Sequence, residues 1–301
     1  MALAEAAAPG GTTEESRAVE TRGRRVGRLV GRGVFLALLS ACTVVFLAPF
    51  AWLVSASLKS RSEVFNSEWI PDPVMWSNYL NVWRAAPVFS WLQNSVIVGL
   101  VGALAVTVSS AAVAFGFSYF RFRGRDALFG LVLATMMLPG AVTMIPVYLI
   151  WNRLGMVNTL VPLWAGNLFG SAFYIFLLRQ FYLGLPRDLF DAARIDGANY
   201  LQMWWRVALP LTRTALIVVF IFEFKALWTD LLKPLIYLYD TALFTMPRGI
   251  KTLIDRFGQG GEMQWELVLA ATTILTVPLI VLFFFGQRYF IEGIATTGAK
   301  G

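Results

Sequence analysis

Apolar positions along this chain of 301 residues gather into six long runs instead of alternating at the period of a surface helix or strand. The runs lie at about 33–54, 89–119, 126–151, 159–183, 207–228 and 264–286. Each is long enough to cross a bilayer's hydrocarbon core, which takes roughly 18–20 residues as a helix. The first is longer than the roughly 7–15 residues of a signal-peptide core. It therefore reads as an uncleaved span, although Val54-Ser-Ala56 has the form of a cleavage site. In the second run Ser95, Gly99, Ala103, Thr107 and Ala111 recur every four residues, a small-residue stripe that lets helices pack closely in lipid. The third is interrupted by Pro139-Gly140 and Pro146, which fits a kink or unwound turn lining a cavity as well as prolines tolerated in a packed helix. Gly166-x-x-x-Gly170 in the fourth has the spacing of a close-packing pair. Trp69, Trp76, Tyr79, Trp83 and Trp91 bracket the start of the second run as an interfacial aromatic belt would.

Between the fourth and fifth runs lies the polar stretch 185–206, followed by Val207-Ala-Leu-Pro210. Pro186 fits the first position of a short helix, where its missing N–H costs nothing. Asp188 and Asp191 then fall near the positive end of the helix dipole. Gly197 is placed to close that helix with a left-handed cap, and a second short helix follows from about Asn199. The pattern predicts a bent helical knuckle with small Ala192 and Ala193 at its centre, where another backbone can approach. Such a knuckle between two spans is a docking surface and not a catalytic one.

Composition agrees with a membrane protein: 57% of residues are hydrophobic and 14% charged. There is no histidine, so the commonest general base, zinc ligand and catalytic triad are missing. Cys42, alone of its kind, sits in the first run and makes no intrachain disulfide. The net charge of +7 suggests an anionic partner until its placement is read. With six spans, sixteen of the 25 Lys and Arg residues fall on the side of the termini and the 185–206 loop, and eight on the other. The positive-inside rule then puts both termini and the loop in the cytoplasm, and no nucleic acid is needed to explain the charge. Residues 1–32 read as a disordered basic tail, 33–286 as the six-span domain and 287–301 as a cytoplasmic C-terminal tail. Gly258-Gln-Gly-Gly261 belongs to a polar outer stretch.

A transporter of this design needs an energy source. None of the five lysines follows a glycine, so a phosphate-cradling Gly-Lys-Ser/Thr loop is missing, and no cofactor or metal site is expected. Buried acids that an ion gradient would use are nearly missing too; Glu223 is the one acid of the fifth run. A stand-alone secondary transporter and a membrane-embedded enzyme are both disfavoured on these grounds. Glu223 and Lys225, two residues apart, point in different directions on a helix. They fit polar lining at the outer mouth of a solute path, and they equally fit interfacial anchoring; Trp228 completes the candidate path residues.

The 185–210 stretch resembles the coupling loop of binding-protein-dependent ABC importer permeases. The family pattern is carried by Asp191-Ala-Ala193, Gly197 and Val207-Ala-Leu-Pro210, with Asp191 where the family usually has Glu. Asn94-Ser-Val-Ile-Val98, Phe120-Arg-Phe-Arg-Gly-Arg125, Ile145-Pro-Val-Tyr148, Leu154-Gly-Met-Val-Asn-Thr159, Trp228-Thr-Asp230 with Pro234, and the ending from Gln287 resemble carbohydrate permeases of the maltose-transporter kind. The resemblance implies an all-α integral membrane protein of type I ABC importer architecture. It also implies a second permease subunit in a heterodimer, two ATPase subunits holding ATP and Mg, and an extracytoplasmic solute-binding protein, in a cell membrane whose lipid the chain contacts. On it, Asp191, Arg194 and Asp196 are polar contacts to the ATPases, Ala192 and Ala193 the close-approach surface and Gly197 the bend. Carbohydrate is the implied solute class, with glycerol phosphate the alternative.

Overall fold

A computed structural model describes the backbone over residues 13–258 and 264–298 and side chains over 30–258 and 264–289. Residues 1–12 of the expected N-terminal tail, Gln259–Gly261 of the glycine-rich outer stretch and the last three residues lie outside the described residues. Among the described residues the structure is helical, with no strand. The chain divides into two units, Met1–Ser55 and Ala56–Gly301.

The first unit is nearly all of α1 (Thr13–Ser57). The helix starts inside the stretch expected to be disordered, because 13–32 carries Glu, Arg, Val and Ala without a proline and continues the apolar run in helical register. From Val30 to Phe50 its large apolar side chains are exposed, Phe46 at 74%, as lipid-facing side chains would be.

In the second unit, α2 (Ser77–Ala85) precedes α3 (Val88–Tyr119), the axis on which the rest is packed. Then come α4 (Arg125–Thr135), α5 (Gly140–Arg153), the single turn α6 (Val161–Trp164), a 3₁₀ turn over Ala165–Phe169, and α7 (Ala172–Leu183). The loop helices are α8 (Arg187–Ile195) and α9 (Tyr200–Met203), followed by a π turn over Trp204–Ala208, α10 (Leu209–Leu211) and α11 (Arg213–Thr229). The chain ends through α12 (Leu232–Tyr237), α13 (Met246–Leu253) and α14 (Trp265–Gly298).

Four helical stretches, 30–57, 88–119, 161–183 and 265–289, are long and apolar enough to cross a membrane. Two bent pairs raise the number to as many as six: α4 with α5, turned by 95°, and Tyr200–Leu211 with α11, turned by 80°. The first bend falls at Pro139, whose extended backbone (ψ 132°) opens α5, whereas Pro146 sits inside α5 without breaking it. The second bend, at Thr212, lies two residues past Pro210.

The small-residue stripe of α3 is buried throughout, as its spacing predicts. A Cβ on Gly99 would stand 2.8 Å from the Phe224 ring, and one on Gly102 would stand 2.4 Å from Leu227 Cδ1, so α11 lies directly against α3. The fourth run is not one helix. Gly170 adopts φ +78° and separates the 3₁₀ turn from α7, while a Cβ on Gly166 would meet nothing. The Gly-x-x-x-Gly spacing therefore marks a break and not a packing pair.

Two residues before and at the start of α3 are buried, one of them against the aromatic-belt expectation. Trp91 is 2% exposed, and its indole N–H donates to the Thr241 carbonyl at 2.8 Å, so it is core and not belt. Lys59 is 1% exposed. Its Nζ donates to Asn66 Oδ1 at 2.7 Å and to the Asn66 and Glu68 carbonyls. Asn78 Nδ2 donates to the Ser57 and Lys59 carbonyls at 3.0 and 2.8 Å. A buried ammonium is tolerable only when it is satisfied in this way. Lys59→Met keeps the stem and orphans the acceptors, for an expected cost of about 2 kcal/mol. Hydrogen exchange should accelerate over 60–72; unchanged protection there would contradict the role given to Lys59.

Candidate functional site

The knuckle is built as its sequence predicts, with Pro186 one position earlier, as the cap of α8. Gly197 adopts φ +84°. The Gly197 N–H donates to the Arg194 carbonyl at 3.1 Å and the Ala198 N–H to the Ala193 carbonyl at 2.9 Å, a Schellman closure. Two residues on, Asn199 and Gln202 form a reciprocal capping box: the Gln202 N–H donates to Asn199 Oδ1 and the Asn199 N–H to Gln202 Oε1, both at 2.8 Å. Both helix ends are thus closed by the chain itself, and the turn between them is stiff.

What fastens this turn to the bundle is aromatic. Phe190, the one residue of α8 that is buried, packs against Phe115 and Tyr119 at the end of α3, with ring centroids 6.0 and 5.4 Å away. Tyr200 packs on Phe120 at 5.0 Å and Tyr119 at 6.1 Å, and Tyr182 of α7 meets Phe115 at 5.9 Å. The knuckle therefore grips the end of the second run, against which α7 also packs through Tyr182, and leads covalently, through the π turn, into α11. Sequence reasoning passed over Phe190 and Tyr200. The signal was present: in Leu189-Phe-Asp-Ala-Ala-Arg-Ile195, Phe190 lies three residues before Ala193 on one helix face.

The opposite face is open. Asp191, Ala192, Arg194, Asp196 and Gly197 are exposed, Ala193 is half-buried, and Ile195 is 87% exposed. Leu201 and Trp205 add exposed apolar area beside it, at 69% and 62%. Asp191 also lines a cavity of about 410 Å³ with Arg121, Arg187 and Arg194. All six predicted coupling residues thus fall on one short element; none is in a catalytic arrangement, and among the described residues no group of His, Cys, Asp and Glu could hold a metal.

The candidate path residues separate. Glu223 lies inside the bundle, where its Oε1 accepts from Asn167 Nδ2 at 2.7 Å. The same Nδ2 reaches the Gly102 carbonyl at 3.1 Å, and the Asn167 carbonyl accepts from Ser109 Oγ at 3.0 Å. Ser110 Oγ accepts from the Ser171 N–H at 3.0 Å. The break at Gly170 is thus where α3, α7 and α11 share polar groups. Lys225 is exposed on another face of α11, as its spacing predicts. Trp228 is fully buried, stacks on Phe224 at 5.5 Å, and donates from Nε1 to the Leu275 carbonyl of α14 at 3.0 Å. A tryptophan near a span end buries its ring wherever a neighbouring helix offers a carbonyl for its N–H.

Comparison with known proteins places this geometry. Residues 103–296, which include the knuckle, match the family described as binding-protein-dependent transport system inner membrane component. The chain is 30% identical over 264 residues to the arabinooligosaccharides transport system permease protein AraQ of Bacillus subtilis (strain 168), covering 86% of this chain and 92% of that protein. It is 32% identical over 268 residues to the sn-glycerol-3-phosphate transport system permease protein UgpE of Yersinia pestis bv. Antiqua (strain Antiqua), covering 85% and 93%. Its fold matches a chain in the crystal structure of a bacterial ABC transporter involved in the import of the acidic polysaccharide alginate. There the TM-score is 0.76 at 22% identity, with 89% of this chain and 98% of that chain covered.

Proposed function

We propose that this chain, which belongs to the binding-protein-dependent transport system inner membrane components, forms one half of the transmembrane pathway of an ATP-driven carbohydrate importer. The observation that carries the solute class is the identity to an arabinooligosaccharide permease over nearly the whole of both chains. Glycerol phosphate is the second reading, favoured by the similar identity to a glycerol-3-phosphate permease.

In this reading the polypeptide crosses the membrane six times between residues 33 and 286, the two bent pairs each counting as one span, with both termini in the cytoplasm. A second permease subunit completes the pathway, two ATPase subunits bind ATP and Mg below it, and a solute-binding protein delivers from outside. ATP and Mg are in this reading held by the partner ATPases and not by this chain. Asp191, Arg194 and Asp196 are polar contacts to an ATPase, Ala192 and Ala193 let its backbone approach, and Gly197 sets the bend. ATP-driven closure of the ATPases moves the knuckle as a rigid body, and the aromatic grip on α3, against which α7 packs, passes that movement to the bundle. The Asn167–Glu223 link at the Gly170 break is a natural joint for the change, and Glu223 and Lys225 supply polar lining.

The test is co-purification of the full chain with its partner subunits, followed by uptake of labelled arabino-oligosaccharide and glycerol 3-phosphate into vesicles with and without ATP. Uptake that needs an ion gradient and ignores ATP would overturn the reading. Within the same assay, Gly197→Val places a β-branched residue at φ +84° and costs about 1–2 kcal/mol of cap strain. It is expected to reduce uptake more than ATP hydrolysis, with membrane insertion intact, since a Cβ there meets no neighbour.

A further inference from the structure

We propose that the recess where α3, α4, α7 and α8 converge binds the phosphate headgroup of an anionic phospholipid, one of whose acyl chains lies in the apolar groove beside it. The recess, of about 590 Å³, is lined by Arg121, Arg125, Arg179 and Arg187, with Asp126 and Ser118. Asp126 is engaged by Arg125, whose Nε lies 2.9 Å from its carboxylate. Among the described residues the other three guanidiniums have no carboxylate within ion-pair distance, so the recess carries uncompensated positive charge. Arg179 is held in place: it lies 4.3 Å over the Phe129 ring, and its Nε donates to the Phe117 carbonyl at 3.4 Å. Phosphate oxygens are the natural partners of such a convergence, since guanidinium forks bind them in pairs of short hydrogen bonds.

What selects a lipid over a free anion is the adjoining surface. Phe122 lines both the recess and a groove of about 200 Å³ formed with Val113, Gly116, Phe117 and Phe120 on the last turns of α3. A Cβ on Gly116 would meet nothing within 4 Å, so the groove is open along the helix. The sequence dictates this juxtaposition: α3 ends its apolar run at Tyr119 and passes at once into Phe-Arg-Phe-Arg-Gly-Arg125, placing aromatic rings and cations at one bilayer depth. Basic pockets between helix ends on the cytoplasmic side are where anionic headgroups settle. The inference rests on the membrane placement and sidedness of the chain and not on its solute, so its failure leaves the transport reading intact.

The test is native mass spectrometry of the full chain with its co-purified subunits, stripped of lipid and titrated with dioleoylphosphatidylglycerol or dioleoylphosphatidylcholine. Phosphatidylglycerol should bind more tightly by about 25-fold, roughly five-fold for each of Arg121 and Arg187, since Arg179 is already engaged by the Phe129 ring and the Phe117 carbonyl. Arg121→Gln with Arg187→Gln should remove the preference, Arg121→Lys with Arg187→Lys should keep most of it, and Gly116→Leu should weaken both lipids by filling the groove. Equal binding of the two lipids by the parent protein, or a preference that survives the double glutamine variant, overturns the proposal. Displacement of phosphatidylglycerol by millimolar inorganic phosphate, with Gly116→Leu without effect, would assign the recess to a free anion and overturn the lipid.

Discussion

Phe190→Ala is expected to abolish coupled uptake while the partner ATPases continue to hydrolyse ATP. Phe190 is 5% exposed and is the buried foot of α8, in contact with rings from α3. Truncating a buried phenylalanine costs about 3–5 kcal/mol. Here that cost falls on the docking of the knuckle and not on the membrane core, because the caps at Gly197 and Asn199 are local and survive the change. With about 1.4 kcal/mol for each factor of ten, the docked population falls by at least a hundred-fold. A knuckle held only by its chain ends swings without moving α3. Uptake should drop by an order of magnitude or more in vesicles containing the assembled transporter, with ATP turnover retained. Phe190→Leu, which keeps most of the volume, should recover much of the uptake. By contrast, Ile195→Ala changes an 87% exposed residue and should leave the thermal stability of the isolated chain within about 0.5 kcal/mol of the parent. Parental uptake by Phe190→Ala would mean that force enters the bundle elsewhere.

That anchor shows where the sequence was and was not legible. The helix–glycine–helix form of the knuckle could be read because its signals are local: a proline at one end, a glycine whose φ is positive, and an Asn199 cap three residues before Gln202. The small stripe of α3 could be read because five small residues in a row at period four keep to one helix face, and the structure buries all five. The Gly166–Gly170 pair could not be read in that way. The same spacing serves two helices packed closely and a chain that must turn at φ +78°, and which it serves depends on Ser110, sixty residues away, accepting from the Ser171 N–H.

Long-range acceptors explain the other departures. Trp228 reads as a path residue from its place near a span end, yet its N–H finds a carbonyl on α14, forty-seven residues later. Lys59 carries no local signal of burial, yet the loop folds three acceptors around it. The bend at Thr212 is hidden for a related reason. The Thr212 hydroxyl donates to the Ala208 carbonyl at 2.8 Å, the carbonyl that its own backbone N–H also uses at 3.1 Å. A side chain that competes for the helix ladder helps bend it, here two residues past Pro210, a contribution that a scan for glycine and proline does not weigh. Glu223 was legible as an exceptional residue, since an acid within a span needs partners. Its partner Asn167, fifty-six residues earlier, was not.

Gly249→Ala is expected to be the most destabilising single methyl in the part of the second unit around the start of α3. A Cβ there would stand 2.1 Å from Cε3 of Trp91 and 2.3 Å from Cδ2, distances that no real packing allows. The ring cannot yield, because its N–H is spent on the Thr241 carbonyl and its surroundings are closed. Nor can α13 lift away freely. Asn94 Nδ2 donates to the Ala242 and Phe244 carbonyls at 2.9 and 3.0 Å, and Ser95 Oγ accepts from the Met246 N–H at 2.8 Å. Either these bonds stretch or the tryptophan leaves its rotamer, and overpacking of this kind costs up to about 3 kcal/mol. Gly130→Ala supplies the opposite sign: it lies inside α4 with no atom within 4 Å of the added methyl, so it should stabilise by about 0.5–1 kcal/mol. Thermal unfolding of the two variants beside the parent separates packing from propensity, and hydrogen exchange locates the effect. Faster exchange over 241–253 with 187–203 unchanged is the expected outcome for Gly249→Ala, since the clamp on the start of α3 and the knuckle at its end share no hydrogen bond. Equal melting temperatures for both variants would show that α13 does not rest on Trp91.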